Sequence, residues 1–288
     1  MTSARVLLRA MRPRQWPKNI LVLAAPAAAG VVHQPQEALE TGLAVLAFIL
    51  ASSGVYLVND VVDIDADRAH PIKRHRPVAS GELPAREALL AAVMLLAGGL
   101  VVAALPVWQL LAVVALYEAV QLLYCLGLKR LPLVELVSVA SGFLLRAVAG
   151  GAATGVGLTA WFVAAVGFGS LFVVAGKRSS ELLLAEGATA AIRPVLARYS
   201  SSYLRFVWTL SAAVLVTTYA LWAAVGGQAA LTSWAVISVL PFTVAVLWYA
   251  VKVDAGSASE PEEIFLHDRV MQLLLVAWAA CFLGSVYL

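Results

Sequence analysis

Four oxygen-bearing side chains follow one another near residue 60, in the pattern Asn59-Asp60-x-x-Asp63-x-x-x-Asp67. At ~100° per residue these four residues, which we call the acidic cluster, share one stripe of a helix, whereas Asp65 falls on the other side. Their carboxylates would repel one another unless a cation lay between them. Oxygen ligands without His or Cys favour a hard cation, Mg²⁺ or Mn²⁺. We therefore interpret the acidic cluster as a metal-binding, diphosphate-binding site whose three aspartates are catalytic.

Two other interpretations of this stretch can be weighed on the residues. A calcium loop fails, because Arg68 stands where glycine is needed and Arg74 where glutamate is needed. A merely solvated helix end is the second, but carboxylates at a helix C-terminus are disfavoured by the helix dipole. The chain continues through His70-Pro71, which should break the helix. Three basic residues then follow that could neutralise phosphate oxygens or simply be juxtamembrane charge: Lys73, Arg74 and Arg76.

The rest of the chain must place this polar stretch at a membrane. The 288 residues are 62% hydrophobic and 13% charged, with a mean hydropathy of +0.88, far from soluble composition. Recurring apolar runs of ~20 residues predict an all-α polytopic membrane protein. We expect a single domain, 1–288, with nine spans at about 19–34, 38–60, 86–105, 107–126, 133–153, 159–176, 203–225, 231–252 and 270–288. Cys125 and Cys281 lie in apolar runs and suggest neither a disulfide nor a metal site.

Positive charge predicts the orientation of these spans. Lys and Arg concentrate before span 1 and in the connections after spans 2, 4, 6 and 8, while the opposite connections such as "VVHQPQEALE" carry none. By the positive-inside rule, the N-terminus and the acidic cluster are cytoplasmic and the C-terminus is outside. The two largest loops, 61–85 and 177–202, then lie on the same cytoplasmic side.

The motif "NDVVDIDAD" followed by "HPIKRHRPVASG" resembles the first Asp-rich motif of the UbiA superfamily of intramembrane prenyltransferases. The resemblance implies a nine-span bundle with a cytoplasm-facing cavity capped by the loops after spans 2 and 6. Most members have a second Asp-rich motif after span 6, but here the stretch "GKRSSELLLAEGATAAIRPVLARYS" has no aspartate. Together with "RPRQWPKN" and "PEEIFLHDR", this stretch is similar to the decaprenyl-phosphate phosphoribosyltransferase branch.

Resemblance to that branch implies phosphoribosyl diphosphate as donor and a polyprenyl phosphate as acceptor. The product would be a precursor of cell-wall arabinan. A basic stretch in place of a second acidic one suits substrates with phosphates beyond the metal-bound diphosphate. Candidate donor- and phosphate-binding residues are Lys18, Asn19, Tyr124, Lys129, Lys177, Arg178 and Glu181, with Lys73, Arg74 and Arg76. Ordinary positive-inside charge or packing is the alternative for several of these residues.

Two charges, Glu118 and Arg146, fall inside predicted spans. An unpaired charge there costs at least ~2.5 kcal/mol. We therefore expect that they pair with each other, or that Arg146 reaches the substrate cavity.

The sequence thus predicts a Mg²⁺-dependent transferase of the bacterial inner membrane that acts on a lipid phosphate. We expect no nucleic-acid partner, and the sequence does not decide between a monomer and a homo-oligomer. The ionised lipid phosphate needs no strong general base, so no catalytic His or Cys is expected. One alternative is a UbiA-type prenyltransferase that uses an allylic diphosphate and an aromatic acceptor. A membrane transporter with a cytoplasmic divalent-cation site is another, although no polar path crosses the spans.

Overall fold

Helices make up all the regular structure in residues 4–186, 195–225 and 233–287, the part of the chain that the computed structural model describes. The α-helices are α1 (Ala4–Ala10), α2 (Ala24–Ala28), α3 (Pro35–Val62), α4 (Ile64–Ala69), α5 (Ala85–Ala104), α6 (Trp108–Leu126), α7 (Val134–Thr154), α8 (Ala160–Glu186), α9 (Ser201–Val225), α10 (Ser233–Asp254), α11 (Pro261–His267) and α12 (Arg269–Tyr287). Short 3₁₀ segments cover Pro13–Leu23, Lys73–His75, Leu128–Arg130 and Leu196–Arg198.

Eight of the described helices are long and apolar enough to cross a membrane: α3, α5, α6, α7, α8, α9, α10 and α12. They correspond to the second to ninth predicted spans, so the all-helical membrane architecture is confirmed. The first predicted span, 19–34, is wrong as a continuous helix, because the chain there is 3₁₀ over Pro13–Leu23 and then α-helical for only five residues. Pro17 and Pro26 each lack a backbone N–H, which favours this interrupted structure.

The first of two compact units comprises Met1–Ala27, Val31–Leu131 and Leu145–Gly157. Its core packs α3 against α5 and α6 through small and aromatic side chains such as Ala44, Ala51 and Phe48. Close approach of backbones also matters, because the 3₁₀ segment Pro13–Leu23 lies directly on α7 at Gly150. This unit carries the acidic cluster.

The second unit comprises Ala28–Gly30, Pro132–Leu144 and Leu158–Leu288. Its core joins α8 to α9 and α10 to α12 and is rich in aromatic rings. Tyr219 stacks on Phe242 with ring centroids 4.0 Å apart, and its hydroxyl accepts a hydrogen bond from Trp278 Nε1 at 2.7 Å. This unit carries three of the predicted phosphate-binding residues on α8: Lys177, Arg178 and Glu181.

The connection between α11 and α12 yields a pH prediction. Asp268 accepts hydrogen bonds from the backbone N–H of Met271 (2.9 Å) and from Trp248 Nε1 (3.0 Å), and Lys252 Nζ lies 2.7 Å from its carboxylate. The hydrogen bond from Lys252, followed by that from Met271, lowers the Asp268 pKa from 3.8 to about 2. Because the folded pKa is depressed, this stabilisation is present above pH 3.8 and is lost as pH falls towards 2.

We therefore expect Asp268→Asn to lower the melting temperature at neutral pH and to lose that effect in acid. Melting temperatures of the wild type and Asp268→Asn should be measured in detergent from neutral pH down to acid pH, and the difference between the two proteins plotted against pH. A difference in melting temperature that stayed constant down to the acid limit would contradict the assigned contacts.

Candidate active site

The acidic cluster lies where α3 ends and α4 begins. Asp63 occupies the junction with φ −97° and ψ 12°, and α4 ends just before His70-Pro71, as predicted. Asp60 and Asp67 are buried, with 2% and 3% of their surface exposed, whereas the Asp65 side chain is 92% exposed. The prediction that Asp65 faces away from the other aspartates is thus supported by the structure.

Cations bridge the buried carboxylates. Arg76 Nη1 lies 2.6 Å from Asp67 Oδ2 and 3.3 Å from Asp60 Oδ1, so these two side chains converge on one point. Arg12 also donates to Asp60 Oδ1. Lys129 Nζ lies 2.5 Å from Asp63 Oδ1 and 3.4 Å from Asn59 Oδ1. Each of the four residues of the acidic cluster therefore contacts a basic side chain.

The donor chemistry fits a hard cation, since the cluster offers only carboxylate and amide oxygens. As the side chains stand, no three His, Cys, Asp or Glu residues in the described part of the chain are grouped to hold a metal ion. The reason is visible in the contacts: Asp60 and Asp67 face Arg76, whereas Asp63 faces Lys129. Binding a divalent ion therefore requires the carboxylates to exchange these cations for the metal.

Arg12 is a site residue that sequence reasoning missed. Its backbone is left-handed, with φ 56° and ψ 63°, and its guanidinium lies 4.9 Å from the centroid of the Tyr56 ring. The adjoining chain is fastened to α3 by Ser53, which accepts from Trp16 Nε1 and donates to the Met11 carbonyl, each at 3.3 Å. The following Pro13 signals a break in the helix, but nothing local predicts the contact with Asp60, 48 residues away.

The other predicted phosphate-binding residues of this unit occupy varied environments. Arg76 contacts the acidic cluster, Lys18 and Lys73 are half-buried, and Arg74 is exposed. Tyr124 is partly buried and packs against the core of α3 and α6.

The predicted ion pair between Glu118 and Arg146 is wrong. Arg146 is buried and donates to Asn19 Oδ1 at 2.8 Å and to the Tyr117 hydroxyl at 3.1 Å. Its guanidinium also lies 4.9 Å from the centroid of the Tyr117 ring. Glu118, the next residue on α6, faces Gly99 of α5 instead. A Cβ added at Gly99 would lie 3.2 Å from Glu118 Oε1. The contacts named here join the arginine to an amide oxygen, a phenol and an aromatic ring, and none of them is to Glu118.

In the second unit, residues of α7 and α8 and the residue just before α11 form a group of five charged side chains. We call it the Lys177 cluster: Glu135, Lys177, Arg178, Glu181 and Glu260. Arg178 is buried; its Nε and Nη2 each lie 2.9 Å from a Glu135 oxygen, and its Nη1 lies 2.8 Å from Glu181 Oε2. Lys177 Nζ lies 3.6 Å from Glu260 and 4.0 Å from Glu181 Oε1. Sequence reasoning missed Glu135, whose partner is 43 residues away.

The remaining basic residues of this stretch are less informative. Arg198 is exposed at the end of the segment Leu196–Arg198, and Arg193 lies outside the described residues.

Known proteins similar to this chain cover almost all of it. It is 51% identical over 278 residues to a protein named decaprenyl-phosphate phosphoribosyltransferase from Mycobacterium tuberculosis, an alignment that covers 95% of this chain and 92% of the relative. Proteins of the same name from Mycolicibacterium smegmatis and Corynebacterium glutamicum are 47% and 44% identical, each over 98% of this chain and over 92% and 87% of the relative.

Solved structures share the fold at low identity. A UbiA homologue from Archaeoglobus fulgidus, solved with DMAPP and Mg²⁺, matches with a TM-score of 0.73 and 18% identity over 96% of this chain and 98% of its own. An apo UbiA homologue from Aeropyrum pernix K1 matches with a TM-score of 0.66 and 17% identity over 93% and 98%. The UbiA prenyltransferase family model itself matches residues 20–285. With sequence and fold in agreement along nearly its full length, the chain belongs to the UbiA prenyltransferase family.

Proposed function

We propose that this protein transfers the 5-phosphoribosyl group from 5-phosphoribosyl 1-diphosphate to decaprenyl phosphate or a similar polyprenyl phosphate, with release of diphosphate. The observation that carries this proposal is the 44–51% identity, over 95–98% of the chain, to relatives named decaprenyl-phosphate phosphoribosyltransferase. The absence of aspartate from the segment after α8 agrees with it, since a second allylic-diphosphate metal motif is not needed.

The acidic cluster would hold the metal ion. Asn59, Asp60, Asp63 and Asp67 offer the oxygen ligands, and Mg²⁺ bound there would neutralise charge on the departing diphosphate. Arg76 and Lys129, released from the carboxylates, would donate to the phosphate oxygens instead. Arg12, beside Asp60, has the same chemistry.

Group transfer breaks the bond between the anomeric carbon and the diphosphate oxygen, whose electron pair leaves with the diphosphate. An oxygen of the lipid phosphate forms the new bond to the same carbon. The nucleophile is already ionised, so no residue must remove a proton from it. Attack from the face opposite the leaving group predicts inversion at the anomeric carbon, which NMR of the product would reveal.

Basic residues outside the acidic cluster would orient the remaining phosphates. Lys177 is the cation of the Lys177 cluster best suited to this, because its side chain is 28% exposed whereas that of Arg178 is 5% exposed. Lys18, Lys73 and Arg74 are further candidates. The isoprenoid tail would lie along apolar helices in the bilayer.

The positive-inside pattern supports a bacterial inner-membrane location with the acidic cluster facing the cytoplasm. A first segment that crosses the bilayer despite its interruption would place the C-terminus outside. Cysteine labelling of single-cysteine variants from each side of the membrane would test this orientation.

A label-transfer assay tests the proposed activity. Membranes containing the protein are given phosphoribosyl diphosphate labelled in the ribose, decaprenyl phosphate and Mg²⁺, and the organic phase is counted. We expect label in the lipid fraction, and its loss with EDTA and recovery with excess Mg²⁺. No transfer from this donor, together with coupling of an allylic diphosphate to an aromatic acid, would overturn the proposal.

A further inference from the structure

The Lys177 cluster by itself carries no surplus of positive charge. It contains two cations and three carboxylates, an excess of one negative charge. Phosphate oxygens only accept hydrogen bonds once ionised, so they cannot satisfy a carboxylate, which accepts as well. A carboxylate here can therefore serve a substrate group that donates, in addition to its ion pairs with Lys177 and Arg178.

Arg178 holds one of these carboxylates in a fixed direction. A guanidinium has only donors, so Glu181 presents Oε2 to Arg178 Nη1 at 2.8 Å. The other oxygen, Oε1, has Lys177 Nζ at 4.0 Å, which is beyond hydrogen-bond range. Because the Glu181 side chain is 19% exposed, Oε1 is an acceptor that a bound molecule can reach.

Glu135 fixes Arg178 from the other side. Its side chain is fully buried in the first turn of α7 and forms a two-pronged contact with Arg178. A buried ion pair is seldom needed for stability, because apolar residues of similar size often serve as well. Next to the proposed phosphate-binding Lys177, this pair would hold Arg178 in one orientation.

The backbone before Glu135 is strained. Leu133 has φ +62°, unusual for a residue with a side chain, and its N–H donates to the Tyr199 hydroxyl at 2.7 Å. Burial, partly offset by this hydrogen bond, raises the Tyr199 pKa to about 12, so the phenol stays neutral. Strain held in this way concentrates at functional sites. It sets the start of α7, and with it the position of the Glu135 carboxylate.

We infer that Glu181 recognises the sugar: its Oε1 accepts a hydrogen bond from the 2- or 3-hydroxyl of the ribosyl ring, and Glu135 and Arg178 are positioning residues for it. The inference rests on the proposed function. Of the chemical groups on the two proposed substrates, the ring hydroxyls are the ones that can donate to a carboxylate. Lys177 alongside then serves a phosphate oxygen.

The test compares donors as well as variants. Label transfer to decaprenyl phosphate is measured with ribosyl, 2-deoxyribosyl and 3-deoxyribosyl 5-phosphate 1-diphosphates. Glu181→Gln turns the acceptor into a donor, because Arg178 will take the amide oxygen and leave the NH₂ to face the sugar. We expect kcat/KM for the ribosyl donor to fall about 10–100-fold, the value of a hydrogen bond to a charged group. With the deoxy donor that lacks the recognised hydroxyl, the variant and the wild type should have the same kcat/KM.

Two further variants separate recognition from structure. Glu260 is the other carboxylate near Lys177, and its side chain is 68% exposed. Glu260→Gln should keep the wild-type preference for the ribosyl donor. The double variant Glu135→Met/Arg178→Met removes both members of the buried ion pair and should fold. Its kcat/KM should fall as that of Glu181→Gln does, with the ribosyl donor and not with one of the deoxy donors. Equal losses by Glu181→Gln with all three donors, or no loss with the ribosyl donor, would overturn the inference. A wild-type protein that transfers no label contradicts the proposed function itself, and the inference falls with it.

Discussion

Replacing Asp60 with asparagine should reduce phosphoribosyl transfer by on the order of 100-fold or more, because metal-assisted departure of the diphosphate is worth several kcal/mol. Asp60 is 2% exposed and shares Arg76 with Asp67, so the substitution removes a carboxylate from the point where two converge. Asparagine keeps the size of the side chain. The expected result is therefore loss of activity without loss of the fold.

Asp65→Asn is the matched control for this substitution. It removes the same charge five residues away, from a side chain that is 92% exposed and faces away from the acidic cluster. Transfer rates and the Mg²⁺ concentration for half-maximal activity should be measured for both variants, with thermal unfolding to verify folding. If Asp60→Asn retained normal transfer and normal Mg²⁺ dependence, the assignment of the acidic cluster as the metal site would be wrong.

Gly150→Ala should prevent the first unit from folding normally. A Cβ at this position would lie 1.9 Å from the Val22 carbonyl oxygen and 2.9 Å from Pro26 Cδ. The nearer group is backbone, which cannot rotate away, so α7 and the segment Pro13–Leu23 must separate. Overpacking commonly costs about 1–3 kcal/mol, and this contact should reach or exceed the upper end.

Gly42→Ala provides the comparison, because nothing lies within 4 Å of the added methyl group. Alanine there should keep or slightly raise stability, by roughly 0.5–1 kcal/mol, since it favours the helix more than glycine. Size-exclusion profiles and melting temperatures in detergent distinguish the two variants. A Gly150→Ala protein with the yield and melting temperature of the wild type would contradict the close approach described here.

Much of the fold follows from local pattern. Long apolar runs predict eight of the spans because a helix is the way to satisfy the backbone in lipid, and those eight are found. The first predicted span is apolar in composition, but Pro17 and Pro26 interrupt the helix there. The break at His70-Pro71 could also be predicted, since it depends on neighbouring residues, whereas the interruption of the helix at Asp63 was not predicted.

The contacts between distant residues could not be predicted in this way. Arg12 reaches Asp60 through a left-handed backbone conformation that is set by tertiary packing. Arg146 turns to Asn19 and Tyr117 rather than to Glu118, although charge alone favoured the acid. Glu135 lies in the first turn of α7, and nothing in its neighbouring residues predicts that it is the buried partner of Arg178. Such partners depend on helix rotation and packing, which hydrophobic periodicity leaves undetermined.

The most direct test of this account is chemical identification of the lipid product. Purified protein in detergent is incubated with decaprenyl phosphate, phosphoribosyl diphosphate and Mg²⁺, and the lipid is analysed by mass spectrometry while released diphosphate is counted. We predict a lipid that has gained one ribose phosphate, with one diphosphate released per lipid and no product from Asp60→Asn. Recovery of unmodified decaprenyl phosphate with no diphosphate released, from a folded wild-type protein, would contradict it.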